Sequence, residues 1–302
     1  MQVISLRNGS LHAEVLPSAA GGLARLDWIA GGAAQPVLRG LDLAPGASPP
    51  TTSQLACFPL VPWSNRIGSG GFVFEERPIA LSPNRPGEPY PIHGDGWQYP
   101  WTVHAQSATG ASLLLDRRAG APFSYLARLR YVLVNEALQV SLEVTNTGKA
   151  ALPFGLGLHP WLPRTGKAML RAPAGTAWTR GADGLPVEEI DVPGHWDFNA
   201  LRELPRDAVD NVFGRWDGQA EVFWPESGLR LGIVADMSYY ILYAPVGAGF
   251  FCFEPVDHAI NAHHLPGGPV RNGLTVLAPG QTLKRQVSFT VAAPAAESTG
   301  TR

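Results

Sequence analysis

Eight residues of this chain alternate without a break: Leu138, Val140, Leu142 and Val144 against Gln139, Ser141, Glu143 and Thr145. A period of two turns one face of a strand to a core and the other to water, so this is half of an antiparallel pair with the preceding Tyr125–Val134. No segment of the 302 residues carries a sustained period of 3.6. Strand patterns recur about every ten residues, at Gly22–Ile29, Ser112–Leu115, Leu152–Leu158, Ala220–Trp224, Leu229–Ala235, Tyr239–Ala244, Phe250–Glu254 and Thr282–Val291. Asn8-Gly9 between two apolar runs reads as a hairpin turn, and with no secretory signal in view that reading outranks a glycosylation acceptor at Asn8-Gly9-Ser10. The chain is expected to be all-β, with few or no helices: one large sandwich over residues 1–292 and a polar, frayed tail at 293–302.

Composition narrows the function classes. Hydrophobic residues make up 45% of the chain, ample for a sizeable core, and charged residues only 16%, with a net charge of −2. No basic face large enough to neutralise a phosphate backbone is implied, which argues against nucleic acid as a partner. No apolar run approaches the ~18 residues of a spanning helix, and no leader precedes the first strand, so a cytoplasmic chain without membrane contact is expected. Oligomeric state is not legible. Cys57 and Cys252 both lie among apolar residues, as reduced buried thiols would, although one bridge stays open. The chain lacks G-x-G-x-x-G opening a helix, a phosphate-binding P-loop, G-x-S-x-G, H-E-x-x-H and C-x-x-C, which removes support for nucleotide, serine-hydrolase and common zinc chemistry. Neither cofactor nor metal is expected.

Gln54–Trp101 is short of regular structure and dense in Pro, Gly and Trp, the character of a packed loop region lining a site. Asn65-Arg66 stands there, with a guanidinium suited to sugar hydroxyls, to a phosphate, or simply to loop carbonyls. His93 lies in a Gly-flanked loop, where it either serves a site or is merely hydrogen-bonded in place. Phe250-Phe251-Cys252-Phe253 reads as a strand buried on both faces, followed by Glu254-Pro255. Proline has no N–H for the ladder, so Glu254 is expected at the strand's end, desolvated and aimed as a base or else paired with an Arg. Leu158-His159-Pro160 has the same grammar. Asp210 follows the loop 196–209 and serves equally as a turn former. His258, His263 and His264 cluster, but at no standard ligand spacing.

In this order, Asn65-Arg66-Ile67, His93-Gly94, His159, the Asp210 loop and Glu254-Pro255 resemble the aldose 1-epimerase (galactose mutarotase) family, as do the Asn8-Gly9 hairpin and Gly21-Gly22-Leu23. The resemblance runs over nearly the whole chain. It implies a large antiparallel β-supersandwich with a cleft on one sheet, Glu254 as base, His159 as acid, and Asn65, Arg66, His93 and Asp210 holding a small sugar. Two departures, Leu158-His159-Pro160-Trp161 and Asp95-Gly96-Trp97 after His93-Gly94, touch the sugar's identity more than the reaction. Independently, anomer interconversion needs one base for the C1 hydroxyl and one acid for the ring oxygen. Three alternatives stand beside it. A hexose 6-phosphate epimerase would add Arg85 to Arg66. A glycosidase would pair Glu254 with Asp257 or Asp95. A sugar-binding sandwich would keep the cleft without turnover.

Overall fold

The alternating segments pair as their patterns require. The computed structural model describes residues 1–43 and 48–292, so the expected tail at 293–302 lies outside the described residues. Tyr125–Val134 and Ala137–Asn146 run antiparallel with Leu133 opposite Leu138 and Leu129 opposite Leu142. They sit inside a nine-stranded sheet, in the order Arg202–Glu203, Met169–Arg171, Gln219–Trp224, Leu229–Ala235, Thr282–Ala292, Ala137–Asn146, Tyr125–Val134, Gly110–Arg117, Thr102–Gln106.

A second, eleven-stranded sheet packs against it. From one edge it runs Ile4–Asn8, Leu11–Leu16, Gly22–Ala30, Cys57–Leu60, Gly157–Pro163, Phe250–Val256, Tyr239–Ala244, Val209–Gly214, Thr176–Arg180, Pro186–Asp191, with Ala33–Leu38 added beside Gly22–Ala30. Among the described residues the only α-helix is the single turn Gly268–Arg271. None is long and apolar enough to cross a membrane.

The unbroken apolar run at Phe250 has a simple cause. Phe251 and Phe253 face the nine-stranded sheet, in the core that also holds Leu129, Tyr131 and Phe289. Cys252 faces the other way, into a smaller cluster with Phe58, Trp161, Val212 and Ile241. The middle strands of this sheet are therefore covered on both faces, as apolar runs without alternation require. Loops from the irregular 54–101 region and from 257–265 make the outer cover. Burying each such phenylalanine contributes about 1.5–3 kcal/mol. Cys57 and Cys252 are both free and buried.

Two boundaries differ from the sequence reading. Pro255 does not end its strand: it sits opposite Tyr240, and the strand continues through Val256. Leu152–Leu158 is not one strand: Leu152–Phe154 pairs with Thr275–Leu277, while Gly157–Pro163 enters the large sheet. Gly155 lies at the switch, where a Cβ would come within 2.3 Å of the His258 ring, so only glycine lets the chain pass. His159 is thus the third residue of a strand and not the end of one.

Candidate active site

The His159 and Glu254 strands are neighbours in the large sheet, and their register decides which side chains meet. Gly157 lies opposite Val256 and Trp161 opposite Cys252, which sets His159 directly across from Glu254. Pairing lapses over the positions between, where Pro160 and Pro255 withdraw two N–H donors. The prolines that read as strand ends instead open a local gap in a central ladder. Directly opposed residues share a face, so the two side chains approach: His159 Nε2 is 3.4 Å from Glu254 Oε1. One row further along the same face come Trp161, Cys252, Tyr243 and Asp210.

The imidazole of His159 is clamped by packing. It packs against both Phe58, at 4.8 Å, and Trp161, at 4.1 Å between ring centroids, each at 22°, and those two rings also meet each other at 5.4 Å. The edge of His93 lies 5.3 Å away. Nδ1 of His159 and Oε2 of Glu254 are buried with no hydrogen-bond partner among the described residues. Burial pushes Glu254 well above the ordinary carboxylate range, the charge of Asp210 adding to it and Arg66 opposing. Burial also lowers His159 to about 3, with the cations Arg85 and Arg39 acting in the same direction. Both shifts favour the uncharged pair, a carboxylic acid facing a neutral imidazole. It holds the same single proton as a carboxylate facing an imidazolium.

Asn65 and His93 occupy left-handed backbone, φ +53 and +63, which residues other than glycine adopt only where their surroundings enforce it. They enforce it on each other. The Asn65 N–H donates to His93 Nδ1 at 3.1 Å, and the His93 N–H donates to the Asn65 carbonyl at 2.9 Å. Because Nδ1 accepts, the neutral ring of His93 carries its proton on Nε2. Gly94 cannot be replaced here, since a Cβ would lie 2.2 Å from the Val61 carbonyl oxygen. Asp95 then ties this loop to the other sheet, accepting from Tyr125 Oη at 2.5 Å and Arg117 Nε at 2.9 Å.

The remaining expected residues are held by partners. Arg66 forms a bidentate pair with Glu88, at 2.8 and 2.9 Å. Asn65 Oδ1 accepts from the Arg66 N–H, leaving only its amide N–H groups uncommitted. Asp210 pairs with Arg180 at 2.9 Å through Oδ2. All six line one cleft of about 530 Å³, within the range of small-molecule sites, together with Arg39, Arg85, Trp161, Tyr243 and Phe250. Trp161 follows His159 by two, so alternation alone places it on the same face. Arg39 has no local signal: it reaches the cleft from just beyond the strand Ala33–Leu38, which carries no clear pattern. A wider hollow of about 890 Å³ lies on the outer face of the nine-stranded sheet, bordered by Arg128, Arg130, Glu143 and Lys284. His159 and Glu254 line the smaller one.

Other candidates are committed elsewhere. Asp257 accepts from the Leu156 N–H at 2.8 Å and Arg285 Nε at 2.5 Å, and Asp95 is held by Tyr125 and Arg117, so neither faces Glu254 as a glycosidase partner. His258 accepts from the Ser64 N–H at 3.0 Å and lies 2.8 Å from the Ala259 carbonyl. His263 stacks on Phe72, and His264 bonds the Gly71 carbonyl. Among the described residues no group of three or more His, Cys, Asp or Glu is placed to hold a metal.

These environments predict an acid-sensitive fold. Burial first, then neighbouring cations, holds His93 well below the ordinary imidazole value, and burial lowers His258 to about 4. With His159 and the likewise depressed His263, four buried imidazoles are neutral where the unfolded chain already binds protons. Their stabilisation is complete above about pH 6.5 and is lost as pH falls through the folded values. Glu254 and Asp257, the latter raised to about 6 by burial against Arg285, act oppositely, being most favourable at low pH. With the likewise lowered His12 and the raised Asp27 the balance is five against three, which leaves acid unfavourable, by about 1.4 kcal/mol per pH unit for each net proton. Urea unfolding is expected to show a lower midpoint at pH 5 than at pH 7. An equal or higher midpoint contradicts the burial described.

Comparison with known proteins bears on family and fold. Residues 2–290 match the family described as "Aldose 1-epimerase". The chain is 33% identical to the uncharacterized protein YphB of Escherichia coli K12, over 96% of this chain and 99% of that one. It is 24% identical to the uncharacterized protein YihR of the same organism, over 61% and 63%. Among solved structures, a putative aldose 1-epimerase from Escherichia coli K12 superposes with a TM-score of 0.86 at 30% identity, covering 97% of this chain and 99% of that one. The GalM/aldose epimerase homologue from C. elegans shares the fold, with a TM-score of 0.80 at 18% identity and coverage of 97% and 99%.

Proposed function

Because the chain belongs to the aldose 1-epimerase family, we propose that it interconverts the α and β anomers of an aldose, with Glu254 and His159 as the proton-transfer pair. The observation that carries this reading is their direct opposition across adjacent strands, 3.4 Å apart on the floor of a sugar-sized cleft. The two oxygens that must exchange protons, the C1 hydroxyl and the ring oxygen, are bonded to one carbon. An acid and base side by side on one face serve them; placement on opposite sides of the ring is not required.

The steps balance with the one proton the pair holds. Passage of that proton from Glu254 to His159 Nε2 gives carboxylate and imidazolium without exchange with solvent. Glu254 then removes the C1 hydroxyl proton while His159 protonates the ring oxygen, so the C1–ring oxygen bond breaks as the carbonyl forms. Rotation about C1–C2 presents the other face of the aldehyde. Reclosure runs the transfers backwards: His159 takes the proton from the former ring oxygen, and Glu254 returns its own to the carbonyl oxygen. His93, with its proton on Nε2, and Arg66, kept in place by Glu88, donate to substrate oxygens; Asp210 accepts from hydroxyls. These steps use side-chain protons alone.

Polarimetry on freshly dissolved α-aldoses tests the reading. Equilibration faster than the spontaneous reaction for at least one of galactose, glucose, xylose, arabinose, a hexuronate or a hexose 6-phosphate is expected. Spontaneous rates with all of them, alongside calorimetric binding of a sugar, would favour a binding protein that has kept only the cleft.

A further inference from the structure

Resting on that reading, we infer that the cleft is built for an aldose carrying an anionic substituent remote from its anomeric carbon, held by Arg39 and Arg85. Most of the cleft's charge is already matched. Glu88 takes Arg66 through a bidentate pair, and Arg180 takes Asp210. Arg66, the cation the sequence pointed to for a phosphate, is therefore committed. Among the described residues neither Arg39 nor Arg85 forms an ion pair, and both line the cleft. Two guanidinium groups without carboxylates leave a local positive excess beside a neutral acid–base pair.

Their placement fits one end of a sugar. The Arg39 guanidinium lies over Trp161, 4.8 Å from the ring centroid, and over Phe250, at 5.1 Å. Trp161 is two residues beyond His159 and Phe250 four before Glu254, running the same way along antiparallel strands. At about 3.3 Å per residue this sets Arg39 roughly 7–13 Å along the sheet from the proton-transfer pair. With about 3 Å of hydrogen-bond contact at each end, the nearer part of that span admits a hexopyranose whose C1 lies at Glu254 and whose charged C6 group extends toward Arg39. Arg39 gives Nη2 to the carbonyls of Ser53, at 2.5 Å, and Leu55, at 2.9 Å, which fixes the group and leaves Nε and Nη1 to donate. Arg85 donates no side-chain hydrogen bond among the described residues, so a capping role explains part of Arg39 and nothing of Arg85. Arg85 also acts on His93 and His159, depressing both after the larger effect of burial, which places its charge within reach of the same cleft. Carboxylate and phosphate both match a guanidinium fork, so the class is an anionic aldose, either a hexuronate or a hexose 6-phosphate.

The experiment compares kcat/KM for anomer exchange on glucuronate, galacturonate, glucose 6-phosphate and the neutral parent hexoses. It uses wild-type protein, Arg85→Gln and Arg39→Gln, at low and high salt. At least one anionic sugar is expected to exceed its neutral parent by about tenfold or more, and which one identifies the anion. Arg85→Gln should cut that ratio about tenfold, and salt should lower it. Because Arg85 is exposed and its side chain holds no neighbour in place, its loss leaves the fold intact. Parity between charged and neutral sugars in the wild type, or a ratio unmoved by both substitutions, overturns the inference while leaving the epimerase reading standing. If no sugar is turned over, the epimerase reading fails. Calorimetry then decides the inference: tighter anionic binding weakened by Arg85→Gln upholds it, and equal binding of charged and neutral sugars overturns it.

Discussion

Glu254→Gln is expected to lower the enzyme-dependent rate of anomer exchange by about 10²–10⁴-fold, the usual contribution of one general acid–base group. The substitution is nearly isosteric and removes the one group in the cleft floor able to take the C1 hydroxyl proton. A structural explanation of the loss can be set aside in advance. Burial already favours the neutral form of Glu254, and a neutral amide in the same place carries no buried charge. Urea midpoints of the variant at pH 7 should therefore equal or exceed those of wild type. A stable variant with an undiminished rate would mean that Glu254 is an ordinary buried acid. A lost rate accompanied by unfolding would mean that it holds the sheet together.

His159→Phe should cost the same 10²–10⁴-fold, by a different route. Phenylalanine keeps the packing against Phe58 and Trp161 but has no nitrogen to pass a proton to the ring oxygen. Because the two residues share one proton, the double variant should be about as slow as either single one, as groups acting as a unit behave. Losses that multiply would show two independent contributions. The wild-type pH profile reflects the same coupling. Activity requires the singly protonated pair. It should hold through neutrality, fall on the alkaline side as Glu254's raised value is passed, and fall on the acid side toward about 3, where His159 gains a second proton for the pair.

Much of this is legible in the residues. Period-two alternation at Leu138–Thr145 and the unbroken run at Phe250 identify a half-buried strand and a doubly covered one, and both stand. Glu254 and His159 stand out through their prolines, and that signal points correctly to a disturbed ladder. It misplaces the disturbance, since proline marks a missing donor without saying whether the chain stops. A strand flanked on both sides tolerates the gap because packing on its two faces holds it. Cross-strand register is a tertiary fact, so no local pattern could reveal that residues 159 and 254 stand opposite each other. The same holds for charge. Arg66 reads as a free cation until the fold brings Glu88 to it, and nothing local marks Arg39, which the fold lays over Trp161.

The most direct measurement is two-dimensional exchange NMR on an equilibrated aldose that the wild type accelerates, following cross-peaks between the α and β H1 signals. Wild type should give cross-peaks well above those of buffer alone, and Glu254→Gln at equal concentration should return them to the buffer level. Cross-peaks of equal strength from both proteins would contradict a mechanism in which this opposed pair carries the proton.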